Sequence, residues 1–137
     1  MLLTPLEVEN DFYNMIKAAD IATKVNGGVY AGGQRPQNSK KEDIEVICTT
    51  LSATEVKEGI VTLLIYVPNV PQAASKGATV ANRPRLTTLA RELTTWAEAR
   101  DIAEGYYFKP KEAASIVPIP EIAQHAVSLR LTFRHYS

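Results

Sequence analysis

The stretch Lys24–Ile47, "KVNGGVYAGGQRPQNSKKEDIEVI", decides how the chain is laid out. It holds Gly27, Gly28, Gly32 and Gly33, then Pro36 and the charged run Lys40-Lys41-Glu42-Asp43, and it leads directly into an alternating apolar pattern. Such a segment can cradle a phosphate, carry catalytic carboxylates or reach a neighbouring protein, and its flanks bear on the choice.

Upstream, Thr4-Pro5-Leu6-Glu7 is a capping box, with Thr4 at the N-cap, Pro5 at N1 where its missing N–H costs nothing, and Glu7 reaching back. Leu3 and Val8 supply a hydrophobic staple. Val8, Phe12, Met15, Ala19 and Ala22, widened by Ile16, recur at helical spacing and define one apolar stripe. The helix should end at Asn26-Gly27-Gly28, where glycine accepts the left-handed cap conformation.

Downstream, Ile44, Val46 and Cys48 alternate with Glu45, Ile47 and Thr49, the period of a half-buried strand. "SATEVKEG" (52–59) reads as a turn, and "IVTLLIYV" (60–67) is apolar on both faces, as an interior strand would be, until Pro68 ends its ladder. Residues 68–82 lack a usable period and are expected to form a long crossing loop or a mobile flap. A second helix starts near Asn82, with Pro84 in its first turn, Leu86, Leu89, Leu93 and Trp96 on its apolar stripe, and Gly105 as its C′ residue. "GYYFKP" and "AASIVPIP" make one broken strand, and Val127, Leu129, Leu131 and Phe133 mark a last strand with one wet face. The result is a single α+β domain over residues 1–137: about four mostly antiparallel strands and two main helices in the order α-β-β-α-β-β, with a short extra strand at Val29-Tyr30.

Bulk properties exclude several classes. A chain of 137 residues buries roughly 70% of its unfolded surface and folds without disulfide or metal. The single Cys48 lies within the apolar alternation as a small core residue. Fifteen basic residues balance fifteen acidic ones, so no net field draws nucleic acid to the whole molecule. The opening "MLLTPLEVEND" has too short an apolar run for a signal peptide or a membrane span, which places the protein in the bacterial cytoplasm when it is made.

A phosphate loop needs a strand before its glycines, a helix after them and a terminal Gly-Lys-Ser or Gly-Lys-Thr; this segment has helix before and strand after, and Ser39-Lys40 lacks the glycine. Asp43 followed by Glu55-Val56-Lys57 matches the spacing of a divalent-metal nuclease core, but Glu55 and Lys57 fall in a polar turn rather than along a strand that would fix their distance. His125 and His135 have no cysteine or carboxylate cluster at ligand spacing and read as surface residues. Basic groups at Lys40-Lys41, Arg83/Arg85, Lys109/Lys111 and Arg130/Arg134 read as solvated faces, or as surfaces turned towards DNA or an acidic partner.

A helix closed by "VNGGVY", then "GGQRP" and "KEDIEV", a strand pair ending "IYVP", a helix and a C-terminal pair of strands together resemble the tail-terminator, tail-completion and head-tail joining proteins of tailed bacteriophages and prophages. The specific letters lie in Asn26–Pro36, Glu42–Val46 and Tyr66–Pro68, and residues 68–82 have no firm match. The resemblance implies a structural virion assembly protein without catalytic residues, metal or cofactor. It would form a homo-oligomeric ring, often of six copies, that ends the tail tube, meets the head-neck proteins and sits near DNA without touching a membrane. Its sites would be the host cytoplasm during assembly and then the tail or neck of the virion. On that basis Tyr30, Arg35, Pro36, Glu42 and Asp43 are candidate interface residues, Tyr30 as an anchor and the charged residues as intersubunit pairs; the same loop equally serves as a connector inside one subunit. A nuclease using Asp43, Glu55 and Lys57, and a non-viral α+β adaptor, stand as alternatives.

Overall fold

In the computed structural model, which describes residues 4–51, 57–73, 77–99, 102–103 and 105–135, the elements follow one another as α1 (Pro5–Lys17), α2 (Ile21–Lys24), β1 (Val29–Ala31), β2 (Ile44–Leu51), β3 (Lys57–Pro68), β4 (Val70–Pro71), β5 (Thr79–Val80), α3 (Arg83–Glu98), β6 (Ile102–Ala103), β7 (Tyr106–Pro110), β8 (Ser115–Ile119) and β9 (Gln124–His135). A single 3-10 turn, Pro120–Ile122, joins β8 to β9.

The capping box at the start of α1 forms: the Glu7 amide donates to Thr4 Oγ1 at 3.2 Å, and the Thr4 amide donates to Glu7 Oε1 at 3.2 Å. Leu3 of the staple lies outside the described residues. Val8, Phe12 and Ile16 are completely buried, but the helix does not run on to Asn26. It stops at Lys17, the Ala19 amide bonds Ile16 one residue short of helical register, and a single turn, α2, follows. That break re-aims the chain, so Ile21 and Val25 enter the core and Ala22 stays half-buried. Gly27 and Gly28 are not in the left-handed region; the glycines with positive φ are Gly33, Gly77 and Gly105.

Among the described residues the main sheet has seven strands, in the order β1-β2-β3-β9-β7-β6, with β8 also paired to β9. Its spine is the antiparallel β3–β9 ladder, which runs from Lys57↔His135 to Pro68↔Gln124. The strand starts at Lys57, not at Ile60, because pairing with the long β9 extends it past the sequence turn signal. β7 and β8 lie end to end along the other edge of β9 as one interrupted strand, and the Lys111 amide bonds the Arg130 carbonyl across the gap at 2.8 Å. β1 is present as expected but pairs parallel to β2. Strand count exceeds the expected four through short pieces such as β6, whose turn contains Gly105 at φ +83°; α3 ends earlier, at Glu98, so Gly105 is a hairpin residue and not a helix cap. Residues 68–82 are not without structure: β4 and β5 form a small antiparallel arm with exposed Val70 and Val80.

Both long helices cover one face of the sheet. Phe12 of α1 packs against Tyr106, Phe108 and Phe133 with ring centroids 5.0, 5.3 and 5.7 Å away, and Trp96 of α3 stacks on Phe108 at 5.5 Å. Leu86, Leu89 and Leu93 complete the seam with Val61, Leu63, Ile65, Leu129 and Leu131. The opposite face carries Ile60, Thr62, Leu64 and Tyr66 of β3, all half-buried, and residues 32–43 lie over its Tyr66 end. No helix among the described residues is long and apolar enough to cross a membrane.

Phe12 lies where α1 meets three aromatic rings. Phe12→Ala is expected to lower the unfolding free energy by about 3–5 kcal/mol, whereas Leu6→Ala, at an exposed position, should change it by less than about 0.5 kcal/mol; urea denaturation followed by tryptophan fluorescence checks both.

Candidate functional site

A glycine-rich segment with little secondary structure has backbone donors to satisfy, and each one placed out of water needs an acceptor. Here carboxylates from three parts of the chain supply them. Glu9, on the buried side of α1, accepts from the Gly32 amide at 3.0 Å and from the Cys48 amide at 3.0 Å, so it ties α1 both to the loop and to β2. Glu45 of β2 accepts from the Gly33 amide at 3.0 Å and from the Tyr66 hydroxyl at 2.7 Å. Asp43 accepts from the Gly28 amide at 2.9 Å through Oδ1, while Oδ2 takes Arg35 Nε at 2.8 Å and the Ser39 hydroxyl.

Arg35 is the centre of this clasp. Its guanidinium lies 3.9 Å from the Tyr66 ring centroid and donates to the carbonyls of Ser39 and Lys41 and to Gln124 Oε1, the last at 3.0 Å. Gln124 returns a bond from Nε2 to the Ser39 carbonyl at 2.9 Å. Only 7% of the Arg35 side chain and 1% of the Asp43 side chain remain exposed, so the pair is desolvated, with Asp43 accepting from three donors. Burial first, and then the bond to Glu45, push the Tyr66 phenol from 10.0 up to about 12.

A second knot closes the base of the segment. Glu42 forms a two-pronged pair with Arg85 of α3 at 2.6 and 2.8 Å, and Arg85 also donates to the Lys24 carbonyl. The Glu42 amide donates to Asn26 Oδ1 and its carbonyl accepts from the Gly27 amide, each at 2.8 Å. Gly27 is required by this approach: a Cβ there would stand 2.0 Å from Asp43 Oδ1 and 2.4 Å from the Glu42 carbonyl oxygen.

Of the candidate interface residues, Arg35, Glu42 and Asp43 have their charges paired inside the subunit. Tyr30, on β1, is half-buried with its hydroxyl against Gly28, and Pro36 is exposed at the loop tip. The spacing of Asp43 and Lys57 does not become a cluster in space. The Tyr66 amide bonds the Asp43 carbonyl, and Lys57 lies nine residues back along β3 from Tyr66, about 30 Å away. Glu55 lies outside the described residues. The histidines are not simple surface residues: His125 Nδ1 is 2.6 Å from Asn69 Oδ1, and the His135 ring packs 4.5 Å from that of Tyr106. Arg130 and Arg134 pair with Glu112 and Glu58, at 3.1 and 3.0 Å. Cys48 is half-buried against the core.

Glu9, Glu45, Tyr66, Arg85 and Gln124 are the members that sequence reasoning missed. Glu9 left a trace, since with Phe12 and Ile16 it falls at i, i+3 and i+7 on the apolar stripe, an expensive position for an unpaired carboxylate. No protein-family model and no curated protein matches the sequence.

Breaking the clasp from one side leaves a buried charge alone. Arg35→Ala and Asp43→Ala are each expected to cost about 3–5 kcal/mol in urea unfolding, and Arg35→Lys should recover only part of the loss because an ammonium cannot bond Asp43, Gln124 and the carbonyls while stacking on Tyr66. The Tyr66 phenol binds its proton more tightly in the folded chain, so its contribution is complete below pH 10.0 and disappears as pH rises towards about 12. A phenolate absorbance titration should show one tyrosine ionising near about 12 that is missing in Tyr66→Phe.

Proposed function

We propose that this chain is a structural assembly protein of a tailed phage or prophage that forms a ring ending the tail tube or joining tail to head. The observation that carries this reading is how the charged residues are spent. Asp43, Glu42, Glu45, Glu9 and Arg35 hold backbone and one another, so the glycine segment becomes a rigid relief on the surface. Apolar side chains meanwhile stand exposed on separate elements: Leu6 on α1, Val70 and Val80 on the arm, Ile116 and Val117 on β8, and Ile122 beyond it. Scattered single exposures are ordinary, but several on projecting elements fit a molecule built for contacts with further protein.

Shape and contact replace bond-making in this account. Both Asp43 oxygens are occupied by donors, one of them a guanidinium 2.8 Å away, which is the environment of a structural acceptor and not of a metal ligand. A ring is built from heterologous contacts, in which one patch meets a different patch on the next copy, and a subunit with dissimilar exposed elements suits that geometry.

Native mass spectrometry and negative-stain imaging of the purified chain test the reading. A closed oligomer of one stoichiometry, unchanged by chelator, is the expected result. A monomer at every concentration, or chelator-sensitive cleavage of DNA that Asp43→Ala abolishes, would overturn it.

A further inference from the structure

The chain is neutral as a whole, yet its charges are not evenly spread. At one end, Arg85 bonds the Lys24 carbonyl and Glu42, which brings Lys24, Lys41, Arg83 and Arg85 together at the start of α3, with Lys40 beside them. The acids there are Glu42, already paired with Arg85, the buried Asp43, paired with Arg35, and Asp20 on the turn before α2. Lys24, Lys40, Lys41 and Arg83 are exposed.

At the other end, the first half of α1 carries Glu7, Glu9 and Asp11 and no cation before Lys17. Glu9 is buried, while Asp11 accepts from the Tyr106 hydroxyl at 2.6 Å, which fixes this helix half beside β7. Leu6, next to Glu7 in the chain, stands on this helix half with 76% of its area exposed, more than any other large apolar residue described. The buried Glu9 reaches Cys48 of β2, but the Tyr106 level beside Asp11 lies far from the basic end. Tyr106 pairs with His135 of β9, whereas Ile44, next to the Glu42 knot, pairs with Ile65, whose partner on β9 is Val127. Eight residues of strand separate those levels, about 25 Å.

We propose that the basic end around Lys41 and Arg83 docks on the acidic, leucine-bearing first half of α1 of a second copy, head to tail. The inference rests on the ring reading above and names the surfaces that would build it. Opposite charge at the two ends of one neutral chain steers copies into this orientation, because like ends repel. The cationic stems of Lys41 and Arg83 offer methylene surface for Leu6 to cover, so the contact has an apolar centre as well as charge. Because the two patches differ, the contact repeats and either closes or runs on, as heterologous contacts do.

Two double variants at exposed positions test this: Lys41→Glu with Arg83→Glu on the basic side, and Leu6→Lys with Asn10→Lys on the acidic side. Circular dichroism should show both folded. Each alone is expected to be a monomer by native mass spectrometry, and their mixture, which keeps one wild-type pair of surfaces and creates a second, charge-reversed pair, should assemble with the two variants in one-to-one ratio. Added salt should weaken the wild-type assembly. If both variants assemble as wild type does, or the mixture stays monomeric, the proposed surfaces are wrong while the ring reading stands. A wild-type chain that never assembles removes both.

Discussion

The buried Arg35–Asp43 pair is the constraint on which the rest of the glycine segment depends. Asp43 sits where the chain enters β2, and its two oxygens gather an amide from before β1 and a cation from the loop's far side. Arg35 then spreads the connection to Tyr66 on β3 and Gln124 on β9. A loop that would otherwise spend its conformational entropy freely is held to three neighbouring strands by one guanidinium. The charge of the pair matters less than its connectivity, because desolvation offsets much of the Coulomb attraction and the hydrogen bonds to backbone decide the outcome.

The same constraint explains the parallel β1–β2 pairing. A strand joined to its parallel neighbour needs a crossover, and here the crossover is residues 32–43 lying over the outer face of the sheet in place of a helix. Glu9 and Glu45 hold its first turn and Asp43 its end, so the segment covers the Tyr66 and Gln124 end of that face and does not extend to its Ile60 half. There, Ile60, Tyr107, Lys109 and Thr132 line a shallow concavity of about 690 Å³.

How much was legible in the sequence follows from the range of each interaction. Local signals came through: the Thr4 box, the Asn82 start of α3, the alternation of β2 and β9 and the apolar run of β3 depend on neighbours within a few residues. The break after Lys17 was hidden because alanines at 18, 19 and 22 keep helical spacing whether or not the helix continues. β4, β5 and β6 are each two residues long, too short for any period to show. Arg35 and Asp43 stood out as charged residues in a glycine loop, but their partners could not be read: Gln124 lies 89 residues from Arg35, and charge alone does not say whether its counter-ion is in the same subunit.

A loop whose donors are captured internally presents fixed relief, and that is what a surface-driven assembly role requires of it. Amide hydrogen exchange resolved by NMR tests the capture most directly. The Gly28, Gly32 and Gly33 amides, each bonded to a carboxylate, should exchange at rates close to those of the β3–β9 ladder, although they lie outside any helix or sheet ladder. Exchange of all three at the speed of an open loop would contradict the account.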